Sequence, residues 1–163
     1  MVEPFLERLL RDHRDRFDYL YQGWLSDHGP MALMAMSGLG IGRKAIETFA
    51  ATYQTRLDPL PPANGVIGRD TYPSRVGDAT AYPAFVVFFD HEIRTAGWRE
   101  TVATYLPDLI SGWVRDALHP AIRLAYGIEF EVETEVAAGL AYFACLGPDP
   151  ALAVTAAASF LSP

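Results

Sequence analysis

The chain has 163 residues, one domain's worth of length, with 50% of them hydrophobic and 20% charged. This composition supports a buried core and excludes wholesale disorder. A formal charge of −7, from 13 Lys and Arg against 20 Asp and Glu, argues against nucleic acid or an anionic membrane as partner, because both select a clustered basic surface.

One cysteine, Cys145, excludes an intramolecular disulfide and a multi-cysteine zinc site. The first twenty residues carry Arg8, Arg11, Asp12, Arg14, Asp15, Arg16 and Asp18, and hold no apolar core of a secretory signal. The apolar stretches 29–39 and 151–161 fall short of the ~20 residues that span a bilayer. The expectation is a cytoplasmic protein.

The apolar spacing is helical nearly throughout. Leu6, Leu9, Leu10, Phe17 and Leu20 recur at three- and four-residue steps, with charge on the other face. Ser26 and Asp27 are cap candidates for a second helix, with Pro30 in its first turn and a stop near Gly38 or Gly40. A third helix is expected over 42–57. From Asp58 to Pro83, eight prolines and glycines (Pro59, Pro61, Pro62, Gly65, Gly68, Pro73, Gly77 and Pro83) break any period, which predicts a long loop, a candidate lid or wall of a site. Helices are then expected over 82–95, 98–106, 107–118, 121–130, 133–146 and 151–161, with Pro107 opening its helix and Gly147-Pro148-Asp149-Pro150 a break. The fold class is all-α, a single helical domain of about eight helices.

Four histidines invite chemistry. His13, among charges, reads as solvated. His91 in Asp90-His91-Glu92 lacks the second histidine of a zinc-protease helix, since Thr95 stands there. His28 and His119 each stand at the start of an apolar helix beside a proline, so they are expected at the interior end of a bundle, where metal and cofactor sites are built. Among carboxylates, Glu92 and Glu129 sit in apolar segments that raise a pKa, unless paired with Arg94 or Arg123. Glu131, Glu133 and Glu135 read as a solvated acidic helix start. The glycine-rich run from Gly38 to Lys44 has neither phosphate-loop nor dinucleotide spacing and reads as a turn between helices. Cys145 reads as inert core.

The run from Leu118 through His119-Pro120-Ala121-Ile122-Arg123 to Tyr126-Gly127-Ile128-Glu129-Phe130 resembles a signature of the questin oxidase-like family, roughly His-Pro-x-Ile-His-x-Gly-Tyr-Gly-x-Glu-Phe. Asp27-His28-Gly29-Pro30-Met31-Ala32-Leu33, followed by Gly38-Leu39-Gly40, is similar to its Asn-His-x-x-His-His segment, and 82–97 to its middle region. The resemblance implies oxygen-dependent, Baeyer–Villiger-like ring opening of anthraquinone-type polyketides. In some members it implies non-haem iron held by histidines and a lysine. Carried over, His28 and His119 would be metal ligands. The same-face partners in the two motifs are here Met31 or Ala32, and Arg123. Members of the family are about twice this length or more, which leaves a fragment, a homodimer that rebuilds the missing half, or a descendant without the metal. The final helix and the Ser162-Pro163 end point to the latter two.

The reading that follows is an oxidoreductase or oxygenase-like enzyme acting on an aromatic or polycyclic polyketide in secondary metabolism, as a homodimer. His28, His119, Arg123 and Glu129 are its candidate catalytic residues. Phe85, Phe88, Phe89, Trp113 and Tyr126 are its candidate substrate walls. Non-haem iron would be its cofactor, with Glu92 or Glu129 completing a two-histidine, one-carboxylate set. The alternative uses no cofactor: a polyketide cyclase or isomerase with His28 or His119 as acid or base and Arg123 stabilising an enolate. A third reading is a non-catalytic accessory subunit.

Overall fold

The computed structural model of the protein describes residues 2–152. They form the expected helical domain, with one two-stranded ribbon besides. Helix α1 (Pro4–Arg16) leads into a hairpin of β1 (Leu20–Tyr21) and β2 (Leu25–Ser26), paired antiparallel and turned through Gln22 and Gly23. Helices α2 (Gly29–Gly38) and α3 (Arg43–Tyr53) follow at the expected places. The proline-rich segment holds a single helical turn, α4 (Tyr72–Arg75), and a 3₁₀ turn, Ala79–Ala81. It is strapped down rather than free: Leu60 N–H donates to the Arg16 carbonyl and Gly77 N–H to the Ala144 carbonyl, both at 2.8 Å. With the hairpin it walls a cleft of about 570 Å³ lined by Asp18, Tyr19, Asp58 and Thr80.

Helices α5 (Tyr82–Ala96), α6 (Trp98–Leu109), α7 (His119–Glu129) and α8 (Glu133–Leu146) complete the domain. The expected helix over 107–118 is not one. Pro107 lies inside α6, and Ile110–Leu118 is a 3₁₀ run broken by non-helical residues. The last expected helix, 151–161, lies outside the described residues but for its first two positions. Among the described residues no helix is long and apolar enough to cross a membrane.

The core is organised on α8. From Val136 to Cys145 every residue of this helix is buried, which is the placement its all-round apolar sequence dictates. Small residues let its neighbours come close. A Cβ on Gly139 would stand 2.6 Å from the Leu124 Cα, and one on Gly127 2.7 Å from the Val136 nitrogen, so α7 and α8 pack backbone to backbone at two points. Phe85 and Phe89 of α5 fill the other side. A second, smaller core of Leu6, Leu10, Leu33, Met34 and Ile46 joins α1 to α2 and α3.

Two buried ion pairs lie within this packing, and both correct the sequence reading. His13 is only 5% exposed rather than solvated, and its Nε2 lies 2.7 Å from Asp27 Oδ2. Asp27 Oδ1 accepts the Gly29 N–H, which ties α1 to the first turn of α2. Burial works to raise the Asp27 pKa. The hydrogen bond and charge of His13, the field of Arg123 and the Gly29 N–H outweigh it, and the carboxyl titrates below its ordinary range. Glu135 is not a solvated helix start but fully buried, paired with Arg123 at 2.9 Å.

Two predictions follow from this packing. Gly139→Ala forces α7 from α8 and lowers the urea-measured unfolding free energy by about 1–3 kcal/mol; an unchanged midpoint would show that the two helices part without cost. A depressed folded-state pKa at Asp27 adds stability that is present above the unfolded value, about 3.9, and is lost as pH falls through the folded one. Between pH 6 and pH 3 the wild type therefore loses more stability than Asp27→Asn does, and equal slopes in parallel urea titrations would contradict the assignment.

Candidate functional site: a histidine pair at two helix starts

Helices α2 and α7 lie side by side and start together. His28 caps α2 and His119 opens α7, each with a proline in the first turn, where a missing N–H costs nothing. At the far ends Gly38 meets the Phe130 ring. The two imidazoles meet edge to face, with Nε2 of His28 2.8 Å from Nε2 of His119 and ring planes at 89°. They lie at the surface, His28 exposed and His119 half-buried, rather than at the interior end of the bundle.

The tautomers follow from the other ring nitrogens. His28 Nδ1 lies 2.7 Å from the Ser26 carbonyl oxygen, and His119 Nδ1 is bonded to the Asp116 carbonyl oxygen. A carbonyl only accepts, so both Nδ1 atoms carry hydrogen and both Nε2 atoms present lone pairs to each other.

The backbone on both sides is prepared for this contact. The His28 N–H donates to the Tyr53 hydroxyl at 2.9 Å, and Gly29 is required because a Cβ there would stand 2.7 Å from the His13 ring. On the other side Asp116, Ala117 and Leu118 are all left-handed, with φ of 47°, 50° and 72°. For residues with a Cβ this costs about 1–2 kcal/mol each. The Asp116 carboxylate anchors the run by accepting from the Ser26 hydroxyl at 3.0 Å and from the Tyr142 hydroxyl of α8.

The remaining candidates are dispersed. Arg123 is 2% exposed and its guanidinium points at Glu135; burial works to lower its pKa, and Glu135, Tyr82 and Asp27 raise it further. Phe85, Phe88 and Phe89 lie in the core, in ring contact with Tyr72. Trp113 is exposed on the 3₁₀ run. Tyr126 stacks with Phe130 and, with the exposed Glu129, lines a cleft of about 630 Å³ at the C-terminal ends of α2 and α7. That is the end of α7 opposite His119, about 15 Å along the helix. Glu92 is buried, but its pKa is lowered rather than raised: burial pushes up, while Arg69, at 2.8 Å, and the Tyr105 hydroxyl, at 2.7 Å, hold it down. Its partner is therefore neither Arg94 nor Arg123. Cys145 is buried core with its thiol pKa pushed up by that burial.

As a ligand set for non-haem iron, the described residues offer two imidazole nitrogens. The carboxylate that the same segment brings, Asp116, is spent on Ser26 and Tyr142. Among the described residues no group of three or more His, Cys, Asp or Glu is placed to hold a metal ion. The pair is thus short of the three protein donors of a two-histidine, one-carboxylate site.

Sequence reasoning singled out His28 and His119 from their positions, and the structure brings the two together. It missed Asp116, whose role lies in a strained backbone and a bond to α8, and it read Ser26 only as a cap. Tyr142 carried no signal beyond its place in an apolar helix.

Comparison with known proteins agrees with the motifs. A family model described as questin oxidase-like matches residues 25–160. A questin oxidase of Aspergillus fumigatus is 35% identical over 99 residues, covering 53% of this chain and 22% of the relative. A questin oxidase of Aspergillus terreus is 33% identical over 130 residues, 72% of this chain and 29% of the relative. The Baeyer-Villiger oxidase AgnL3 of Paecilomyces divaricatus is 25% identical over 146 residues, 82% and 32% respectively. The chain spans between about a fifth and a third of the length of these relatives. With the model matched over most of its length, this chain belongs to the questin oxidase-like family.

Proposed function

We propose that this chain carries the acid–base centre of an oxidoreductase that acts on an aromatic or polycyclic polyketide in secondary metabolism. The observation that carries the reading is the His28–His119 contact: two lone pairs 2.8 Å apart, each fixed by a backbone carbonyl behind it. One shared proton satisfies both nitrogens, and the pair can hand that proton over at an exposed edge and then take one back. The N-terminal ends of α2 and α7 converge there, and their positive ends favour negative charge on a nearby oxygen. A carbonyl oxygen of an anthraquinone-type ring matches that chemistry: the helix ends favour charge building on it, and the pair hands it the shared proton, which leaves both Nε2 lone pairs free to take a proton back. Leu118 and Ile122, both partly exposed beside His119, offer apolar surface for the ring. Family membership supplies the oxidative half of the proposal, since relatives bear the names questin oxidase and Baeyer-Villiger oxidase.

The steps proposed here are assigned to the two histidines themselves. The cyclase reading keeps the same histidines but needs Arg123 at an enolate, and a guanidinium spent on buried Glu135 favours the oxidoreductase. A second copy of the chain is the proposed partner that completes the site.

His28→Ala and His119→Ala, assayed separately for dioxygen uptake and ring-opened product from an anthraquinone-type substrate, each lower kcat about 10²–10⁴-fold with the fold retained. Turnover unchanged in both would remove the pair from the chemistry and leave an accessory role. Elemental analysis of the same samples reads the metal independently.

A further inference from the structure

The residues that hold the histidine pair are themselves joined. Ser26 fixes His28 through its carbonyl, and Asp116 fixes His119 through its carbonyl. The side chains of the same two residues meet, Ser26 Oγ donating to Asp116 Oδ2 at 3.0 Å. A closed ring of contacts thus runs His28, Ser26, Asp116, His119 and back to His28. Tyr142 enters it from the buried side, its hydroxyl bonded to Asp116 Oδ2 and 2.9 Å from Ser26 Oγ. Tyr142 is 2% exposed, on the helix that organises the core. The ring is therefore anchored to the buried helix α8, while His119 hangs from a run of three left-handed residues that relaxes if released.

We propose that Asp116, with Ser26 and Tyr142, is the positioning unit of this site: its carboxylate sets the tautomers of both histidines and the gap between their Nε2 atoms. An ionised carboxylate suits the task because hydrogen bonds to it are roughly twice as strong as neutral ones, and one oxygen gathers both hydroxyls. Neither Asp116 nor Tyr142 contacts the paired nitrogens, so their effect passes through the histidines. The consequence for turnover rests on the acid–base reading above; the claim about the tautomers does not.

The test is ¹⁵N–¹H correlation spectroscopy of the imidazoles in the full chain, labelled at histidine, with turnover of an anthraquinone-type substrate measured on the same samples. Asp116→Asn keeps a residue type that tolerates the left-handed backbone. Ser26→Ala and Tyr142→Phe keep chain path and core volume, and carry the test if Asp116→Asn does not fold. In the wild type both histidines are expected to carry hydrogen on Nδ1, with one further proton shared between the two Nε2 atoms. In the variants that pattern mixes at His28 and His119 but not at His13 or His91, and kcat falls about 10–100-fold with KM little changed. Fixed tautomers in all folded variants overturn the proposal, whatever happens to turnover. Mixed tautomers with full turnover uphold it and overturn the acid–base reading instead.

Discussion

The Nε2 atoms of His28 and His119 stand 2.8 Å apart, and much of this molecule is arranged to keep them there. Each ring is committed from behind, its Nδ1–H spent on a backbone carbonyl. Each stands at the start of a helix, so its position is set by how α2 and α7 lie rather than by a loop. Those two helices are held by different cores. α2 rests on α1 and α3 through Leu33, Met34 and Ile46, whereas α7 is clasped to α8 at Gly127 and Gly139. The pair therefore bridges two packing units, and a small change in how they meet would change the gap between the rings.

Buried charge lies directly beneath. Asp27 receives His13 and fixes the Gly29 N–H beside His28, while Arg123 and Glu135 pair between α7 and α8. Removing one partner of such a pair strands a charge in the core and costs about 3–5 kcal/mol. Arg123 stands where the family signature carries a histidine, and in this fold its guanidinium is a structural cation facing Glu135.

Helical periodicity made the architecture legible: α2, α3, α5 and α8 fall within a few residues of where apolar spacing and the Gly and Pro stops place them. His28 and His119 were legible too, because a histidine beside a first-turn proline is a local pattern. Contacts between distant residues were not. Glu92 finds Arg69, 23 positions away across the proline-rich segment, and not its helix neighbour Arg94. The phenylalanines of α5 look like substrate walls in sequence, but the face they occupy is the one that meets Tyr72. The segment before His119 misled most. Its apolar spacing is that of a helix, yet the bonds from Ser26 and Tyr142 to Asp116 hold it left-handed, and no local signal encodes a bond to a residue 90 positions away.

The most direct measurement is neutron diffraction from crystals of the protein grown in deuterated buffer, which locates the hydrogens on His28 and His119. The account predicts deuterium on both Nδ1 atoms and a single deuteron in the gap between the Nε2 atoms. Nitrogens that each carry their own deuteron on Nε2, with the rings turned apart, would contradict it.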